Sequence, residues 1–272
     1  MIKSLFRLFR WRLSLLNGVV ALGGFCLFPA AEVALAPMAA VLFGVTLLAA
    51  AGSAFNQVQE WGIDRLMDRT RDRPIPCGDL TPTGASVIGG VCLLGGLLAL
   101  GLGGRLLPML LGIVALAWYL GVYTPLKRRT PLALAAGGFC GALPPVIGWV
   151  YAGGDPMDYR VMLLAGFLYL WQIPHFWLLQ HRHAEDYRRA GLPIFNPRLN
   201  EISPSGLWQL WIIALVAGAL LLPIFGIINV SIAPWYAAVM LLLGLLALSR
   251  RERVLFAGLY GFPLLVTLAL FL

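Results

Sequence analysis

Nine stretches of nearly unbroken apolar sequence constrain this chain more than any other feature. A helix needs about 20 apolar residues to cross the hydrocarbon of a bilayer. The stretches lie near residues 13–28, 33–55, 85–102, 106–123, 132–151, 161–179, 207–228, 232–249 and 254–272. In lipid, each segment must satisfy its own backbone N–H and C=O groups, so runs of this kind fold as helices. The expectation is an all-α, polytopic membrane protein of about nine transmembrane helices, with one domain over residues 1–272. Composition removes the soluble alternative. The chain is 60% hydrophobic and 12% charged, about half the charged share of soluble domains. Four cysteines (Cys26, Cys77, Cys92 and Cys140) show no CxxC or ligand spacing. They read as apolar filler rather than a zinc site or disulfide framework.

The formal charge of +8 reports orientation first, and no nucleic-acid partner is expected. If the N-terminus is cytoplasmic, all of the 20 basic residues except Arg105 and Arg160 fall on the cytoplasmic side. That is a lopsided answer under the positive-inside rule, and nine spans then place the C-terminus outside. The setting expected is a cell (inner) membrane with its lipid as solvent. A cleavable leader ending near Ala34 or Ala36 is disfavoured, because the first apolar run is long and leads straight into another span. Two polar connections, near 56–84 and 180–206, both fall on the cytoplasmic side.

The first connection opens with Asn56, Glu60, Asp64 and Asp68, four residues apart. On a helix each such step advances about 40° around the axis, so they form one drifting stripe. Carboxylates so spaced repel each other, and desolvation at a membrane edge sharpens the repulsion. Something cationic should lie against them. Arg65, Arg69 and Arg73 could neutralise the stripe from within. Alternatively, the hard oxygen donors could hold Mg²⁺ that bridges a phosphate, with arginines gripping the phosphate oxygens. Pro74 and Pro76 are expected to end the helix just after the stripe.

A second polar cluster runs from Trp171 through Pro174, His175 and Trp177 to Asp186. Pro174 can kink its helix. His175 is an ionisable group in apolar sequence, either a satisfied hydrogen-bond partner or a ligand or acid–base group. Asp186 lies eleven residues beyond His175, three helical turns away and near the same face. His181 and His183 are assigned no role. A third patch, Tyr123, Thr124, Lys127, Arg128 and Arg129, reads either as a topogenic loop or as part of the same site.

Asn56, Glu60 and Asp64 at four-residue spacing, followed by Arg69-Thr70-Arg71-Asp72-Arg73-Pro74, resemble the first Asp-rich motif of the UbiA superfamily of intramembrane prenyltransferases. Within it, Trp171-Gln172-Ile173-Pro174-His175-Phe176-Trp177 and Asp186 to Pro193 resemble the haem O synthase branch. So do Tyr123-Thr124, the 127–131 basic run and the Gly137 to Trp149 segment. The blocks come in the expected order between Asn56 and Pro193. Glu60 replaces the usual Asp, Ala133 replaces a common Asn, and the segment between Tyr123 and Lys127 is a residue short.

The resemblance implies a UbiA-type helical bundle that transfers farnesyl from farnesyl diphosphate to a vinyl group of haem b. Asn56, Glu60, Asp64 and Asp186 would hold Mg²⁺. Asp64, Asp186 and Lys127 would be the catalytic groups. Arg69, Arg73, Lys127 and Arg128 would neutralise the diphosphate as the allylic bond breaks, in a bundle that excludes water. Tyr123 would line the substrate site, and His175 would contact the porphyrin or its iron. Haem A synthase or a terminal oxidase assembly would be partners. The tryptophans are expected at the interfacial belts. Two other readings are a UbiA-type enzyme acting on an aromatic quinone precursor, where Asp usually stands at position 175, and a transporter with an intramembrane ion site. The transporter leaves the arginine-flanked acidic stripe and the second polar cluster unexplained.

Overall fold

The computed structural model describes residues 2–31, 34–194, 206–249 and 251–271. Arg198, Arg250, residues 195–205 of the second polar connection, and the ends of two expected spans at 33 and 272 lie outside them. Every regular element among the described residues is a helix, with no strand. Among the described residues, six helices are long and apolar enough to cross a membrane, and three shorter apolar helices stand where the remaining spans are expected.

A short helix α1 (Ile2–Leu8) precedes α2 (Trp11–Leu27), then α3 (Leu35–Asp64) and α4 (Pro82–Gly101). Next come α5 (Leu106–Leu126), α6 (Ala133–Ala152), α7 (Tyr159–Arg182) and the one-turn-and-a-half α8 (Ala184–Arg189). The chain then forms α9 (Gly206–Ile224), α10 (Ala233–Ala247) and α11 (Glu252–Ala269). Two cores hold the bundle. Val41, Val45, Leu48 and Leu100 join α3 and α4 to Phe25 of α2 and Ile147 of α6. Leu164, Phe167, Ile212, Met240, Leu259 and Phe262 join α7 to α9, α10 and α11. Helix α11 also touches α2, which closes the bundle.

Small residues let two helices meet backbone to backbone, as membrane interiors favour. A Cβ at Gly148 of α6 would meet the Ala21 carbonyl of α2, and one at Gly24 would meet the Pro145 carbonyl. Both obstacles are backbone and cannot rotate away. Gly148→Ala should therefore cost about 2 kcal/mol or more by overpacking, measured as a lowered thermal midpoint in detergent.

Helix α3 positions the site. Its 30 residues span about 45 Å at 1.5 Å per residue, some three turns more than the hydrocarbon requires. Those extra turns carry Asn56, Glu60 and Asp64. The helix stops at Asp64 rather than near Arg73 as the prolines suggested, because the Thr70 hydroxyl caps the Asp64 carbonyl at 3.0 Å and buried Met67 turns inward. Asp68 therefore leaves the stripe.

Helix α5 widens into a π stretch over Trp118–Tyr123. Pro125 offers no N–H to the Gly121 carbonyl four residues back, so the ladder must re-register there. Such widenings often occur at functional sites. Arg105 is the N-cap residue of α5 and Arg160 lies in the first turn of α7, at the opposite end of the bundle from Glu60 and Asp64; Arg160 is paired with Asp158 at 2.8 Å. The tryptophans depart from a simple belt. Trp149, Trp171 and Trp208 are buried, and their indoles donate to the carbonyls of Asp155, Leu259 and Ala247. All four cysteines are free thiols.

Candidate active site

Three segments meet at one end of the bundle: the end of α3 with Asn56, Glu60 and Asp64, the end of α5 with Thr124 and the following Lys127, and the short α8 with Asp186. Asn56, Glu60 and Asp64 are each less than a tenth exposed. Buried charge must be paired, and here each carboxylate has its own cation. Lys127 Nζ donates to Glu60 Oε2 at 2.6 Å, and Arg73 donates to Asp64 Oδ2 at 2.7 Å. The Asn56 amide donates to Glu60 Oε2 at 3.0 Å and to the buried Thr124 hydroxyl at 3.1 Å.

The expected internal neutralisation is thus half realised. Arg73 takes Asp64, whereas Arg65 stacks over Trp61, with the guanidinium carbon 4.4 Å from the ring centre. Glu60 is neutralised from another helix. Burial lowers the Lys127 ammonium from its ordinary value, and the adjacent Glu60 only partly restores it.

Asp186 ties the two polar connections together. It accepts from the backbone N–H groups of Asp68 at 3.0 Å and Arg69 at 3.2 Å. Burial pushes its carboxyl up, but these amides, with His183 and Arg189 nearby, outweigh burial and hold it below the usual carboxylate range. It is not on the helix of His175, because α7 ends at Arg182 and the chain restarts as α8. Asp68 turns outward instead, to Arg71 at 3.0 Å and Arg189 at 2.8 Å. Arg128 is exposed and donates to the Gln59 carbonyl at 2.8 Å, fastening α5 to α3.

Aromatic rings form the deeper wall. Tyr119 stacks on Tyr123 and Tyr123 on Phe176, with centroids 5.7 and 6.2 Å apart. His175 stacks on Trp171 at 4.6 Å and meets the Tyr260 edge at 5.0 Å. Its buried Nδ1 has no hydrogen-bond partner.

Likeness to known proteins gives the family. The UbiA prenyltransferase family matches residues 17–268. The chain belongs to the UbiA prenyltransferase family. It is 57% identical to a protoheme IX farnesyltransferase of Geobacter sulfurreducens over 97% of both chains. Its fold is that of the apo UbiA homolog from Aeropyrum pernix K1, with TM-score 0.77 at 21% identity over 96% of this chain and 98% of that one. A UbiA homolog from Archaeoglobus fulgidus bound to DMAPP and Mg²⁺ superposes with TM-score 0.69 at 15% identity, covering 98% of each chain. As a UbiA member with six apolar helices of spanning length, the protein is a multi-pass integral membrane protein.

In this UbiA chain, the residues singled out from sequence divide into groups. Asn56, Glu60, Asp64, Arg73 and Lys127 come together. Asp186 meets them only through the 68–69 backbone, and Arg128 serves a helix-to-helix tie. Among the described residues, no three carboxylate, histidine or cysteine side chains converge on one point. The donor chemistry still fits a hard cation: Glu60 Oε1 is buried without a hydrogen-bond partner, beside a carboxamide and a second carboxylate. Sequence reading missed Thr124 as a partner of Asn56. It also missed Gln57, whose side-chain nitrogen donates to the Leu8 carbonyl at 2.8 Å. No sequence signal marked Gln57, which is one residue off the stripe.

Proposed function

We propose that this UbiA member transfers the farnesyl group of farnesyl diphosphate to a vinyl group of haem b. The observation that carries the reading is the 57% identity to a protoheme IX farnesyltransferase along 97% of the chain. The buried acid–base cluster and its aromatic wall supply the matching chemistry.

Asn56, Glu60 and Asp64 would hold Mg²⁺, with Asp186 bracing the 68–69 turn beside them. Bound there, the cation would neutralise diphosphate charge. Arg69, Arg73 and Lys127 present further positive charge to the leaving oxygens as the allylic C–O bond breaks. Electrostatic help of this kind is strongest where water is excluded. Tyr119, Tyr123 and Phe176 offer π faces to the allylic cation, which attracts them as any cation does. The vinyl carbon attacks the farnesyl carbon that diphosphate leaves, and water adds to the cation so formed beside the porphyrin ring and loses a proton, which completes the hydroxyethylfarnesyl group. His175, with Nδ1 unpartnered against Trp171 and Tyr260, contacts the porphyrin or its iron. The site would face the cytoplasm of a cell membrane, a reading supported by the concentration of basic residues on that side of the chain. The product would pass to haem A synthase or a terminal oxidase assembly.

The reading is tested by giving the purified protein labelled farnesyl diphosphate, Mg²⁺, haem b and a hydroxybenzoate together. Label is expected in haem alone; label in the aromatic acid assigns the chain to quinone-precursor chemistry instead. His175→Ala should raise the KM for haem b about tenfold and leave that for farnesyl diphosphate unchanged, since one lost ligand contact is worth about 1.4 kcal/mol. Steady-state kinetics with each substrate varied in turn checks the split.

A further inference from the structure

A strip of aromatic rings joins α7 to α11 and ends in a cation. Trp171 and His175, one turn apart on α7, stack at 4.6 Å with 19° between their planes. Tyr260 of α11 meets His175 edge-on at 5.0 Å and Trp171 at 6.5 Å. Phe256, one turn before Tyr260, stacks on it at 5.9 Å. Arg182, the last residue of α7, lies over the Phe256 ring, its guanidinium carbon 4.9 Å from the centroid. The Trp171 indole donates to the Leu259 carbonyl at 2.7 Å, which pins the two helices together at the residue beside Tyr260.

The chemistry of the strip changes along its length. His175 and Arg182 are seven residues apart, so they share one face of α7 and lie about 10.5 Å apart along its axis. At the deeper level stands an imidazole whose buried Nδ1 has no partner. At the helix end stands an exposed guanidinium, charged at every working pH. Between them lie the rings of Tyr260 and Phe256, and Tyr260 is 45% exposed, so packing leaves ring surface for a ligand. A guanidinium held over a ring still has N–H donors in its own plane, and these match a carboxylate. A plain hydrocarbon chain would use neither end. The ligand that uses both has a flat aromatic body and a carboxylate on its rim, as a porphyrin with propionate arms has.

The strip also adjoins the reaction centre. Phe176 follows His175 and stacks on Tyr123 of α5 at 6.2 Å, and the neighbouring Thr124 accepts from Asn56. Helix α7 therefore turns one side to the acidic cluster and the adjacent side to α11.

We propose that the α7–α11 strip is the acceptor site, with Tyr260 and Phe256 against the porphyrin face and Arg182 pairing with a propionate. The inference rests on the farnesyl-transfer reading above and extends it to residues of α11 and the end of α7. It is tested by titrating the full-length protein in detergent with haem b and with its dimethyl ester, following the visible spectrum of the bound haem. Turnover with farnesyl diphosphate and Mg²⁺ is measured alongside. Wild-type protein should bind haem b at least fivefold more tightly than the ester. In Arg182→Gln haem b should bind at least fivefold more weakly and the preference over the ester should vanish; Arg182→Lys should recover part of it. Tyr260→Leu should weaken both forms alike, and Tyr260→Phe should restore them. The KM for farnesyl diphosphate should stay unchanged in all four variants. Arg182→Gln that keeps the full preference would overturn the proposal, and a loss of fold cannot imitate the expected result, since it weakens both forms equally. A rise in the farnesyl diphosphate KM alone in Tyr260→Leu would overturn it by giving the strip to the prenyl chain. Wild-type protein that farnesylates haem b without preferring it to the ester would overturn the proposal and leave the farnesyl-transfer reading intact. Wild-type protein that farnesylates no haem would bring down both.

Discussion

Asp64→Asn should abolish farnesyl transfer, with an expected loss of about 10³-fold or more, while the protein stays folded in detergent. The side chain is 3% exposed and accepts a 2.7 Å ion pair from Arg73. The carboxamide keeps the shape and one acceptor oxygen but removes the charge that would hold a hard cation. Loss of one preorganised electrostatic element in a dry site typically costs 10²–10³ in rate, and here the cation and the pairing of Arg73 fail together. Asp64→Ala would give the same activity but also leave Arg73 facing a void, so the isosteric change separates chemistry from folding. Surviving turnover in Asp64→Asn, measured as haem product per enzyme, would remove Asp64 from the proposed chemistry.

Lys127 carries the second large effect, with a different signature. In Lys127→Met the Glu60 carboxylate, 2% exposed, keeps the Asn56 amide as its sole partner, because Oε1 already lacks one. Breaking a buried pair by removing one member costs about 3–5 kcal/mol. The thermal midpoint should fall by several degrees, and turnover by about 10²-fold. Adding Glu60→Gln should restore the midpoint but not the activity, because the pair is mended as neutral groups while the charges needed for diphosphate stay absent. A double variant that regained both would reduce the pair to a structural role.

The helices, their apolar faces and the polar end of the bundle were legible in the sequence, because hydropathy and four-residue spacing act locally along the chain. Asn56, Glu60 and Asp64 do share a buried helix end. What could not be read was pairing across helices. The Glu60–Lys127 contact joins residues 67 apart, and nothing local distinguishes Lys127 from Arg128, which ties α5 to α3 instead. The end of α3 was misplaced because the prolines at 74 and 76 look like the strongest stop. The Thr70 hydroxyl ends the helix earlier through a contact that spacing does not advertise. The same blindness hid the break at His183, which moved Asp186 off the helix of His175. The short segment between Tyr123 and Lys127 was visible as an anomaly, and the π stretch beside it gives that anomaly a physical form. Arg182 was counted for its charge alone; its place over Phe256 is visible only in three dimensions.

The most direct measurement is the mass of the porphyrin after the purified protein has been given haem b, farnesyl diphosphate and Mg²⁺. The account predicts a haem heavier by one farnesyl group and one hydroxyl group, formed by wild-type protein and absent with Asp64→Asn. Haem b recovered at unchanged mass from active protein, with the prenyl group on another acceptor, would contradict it.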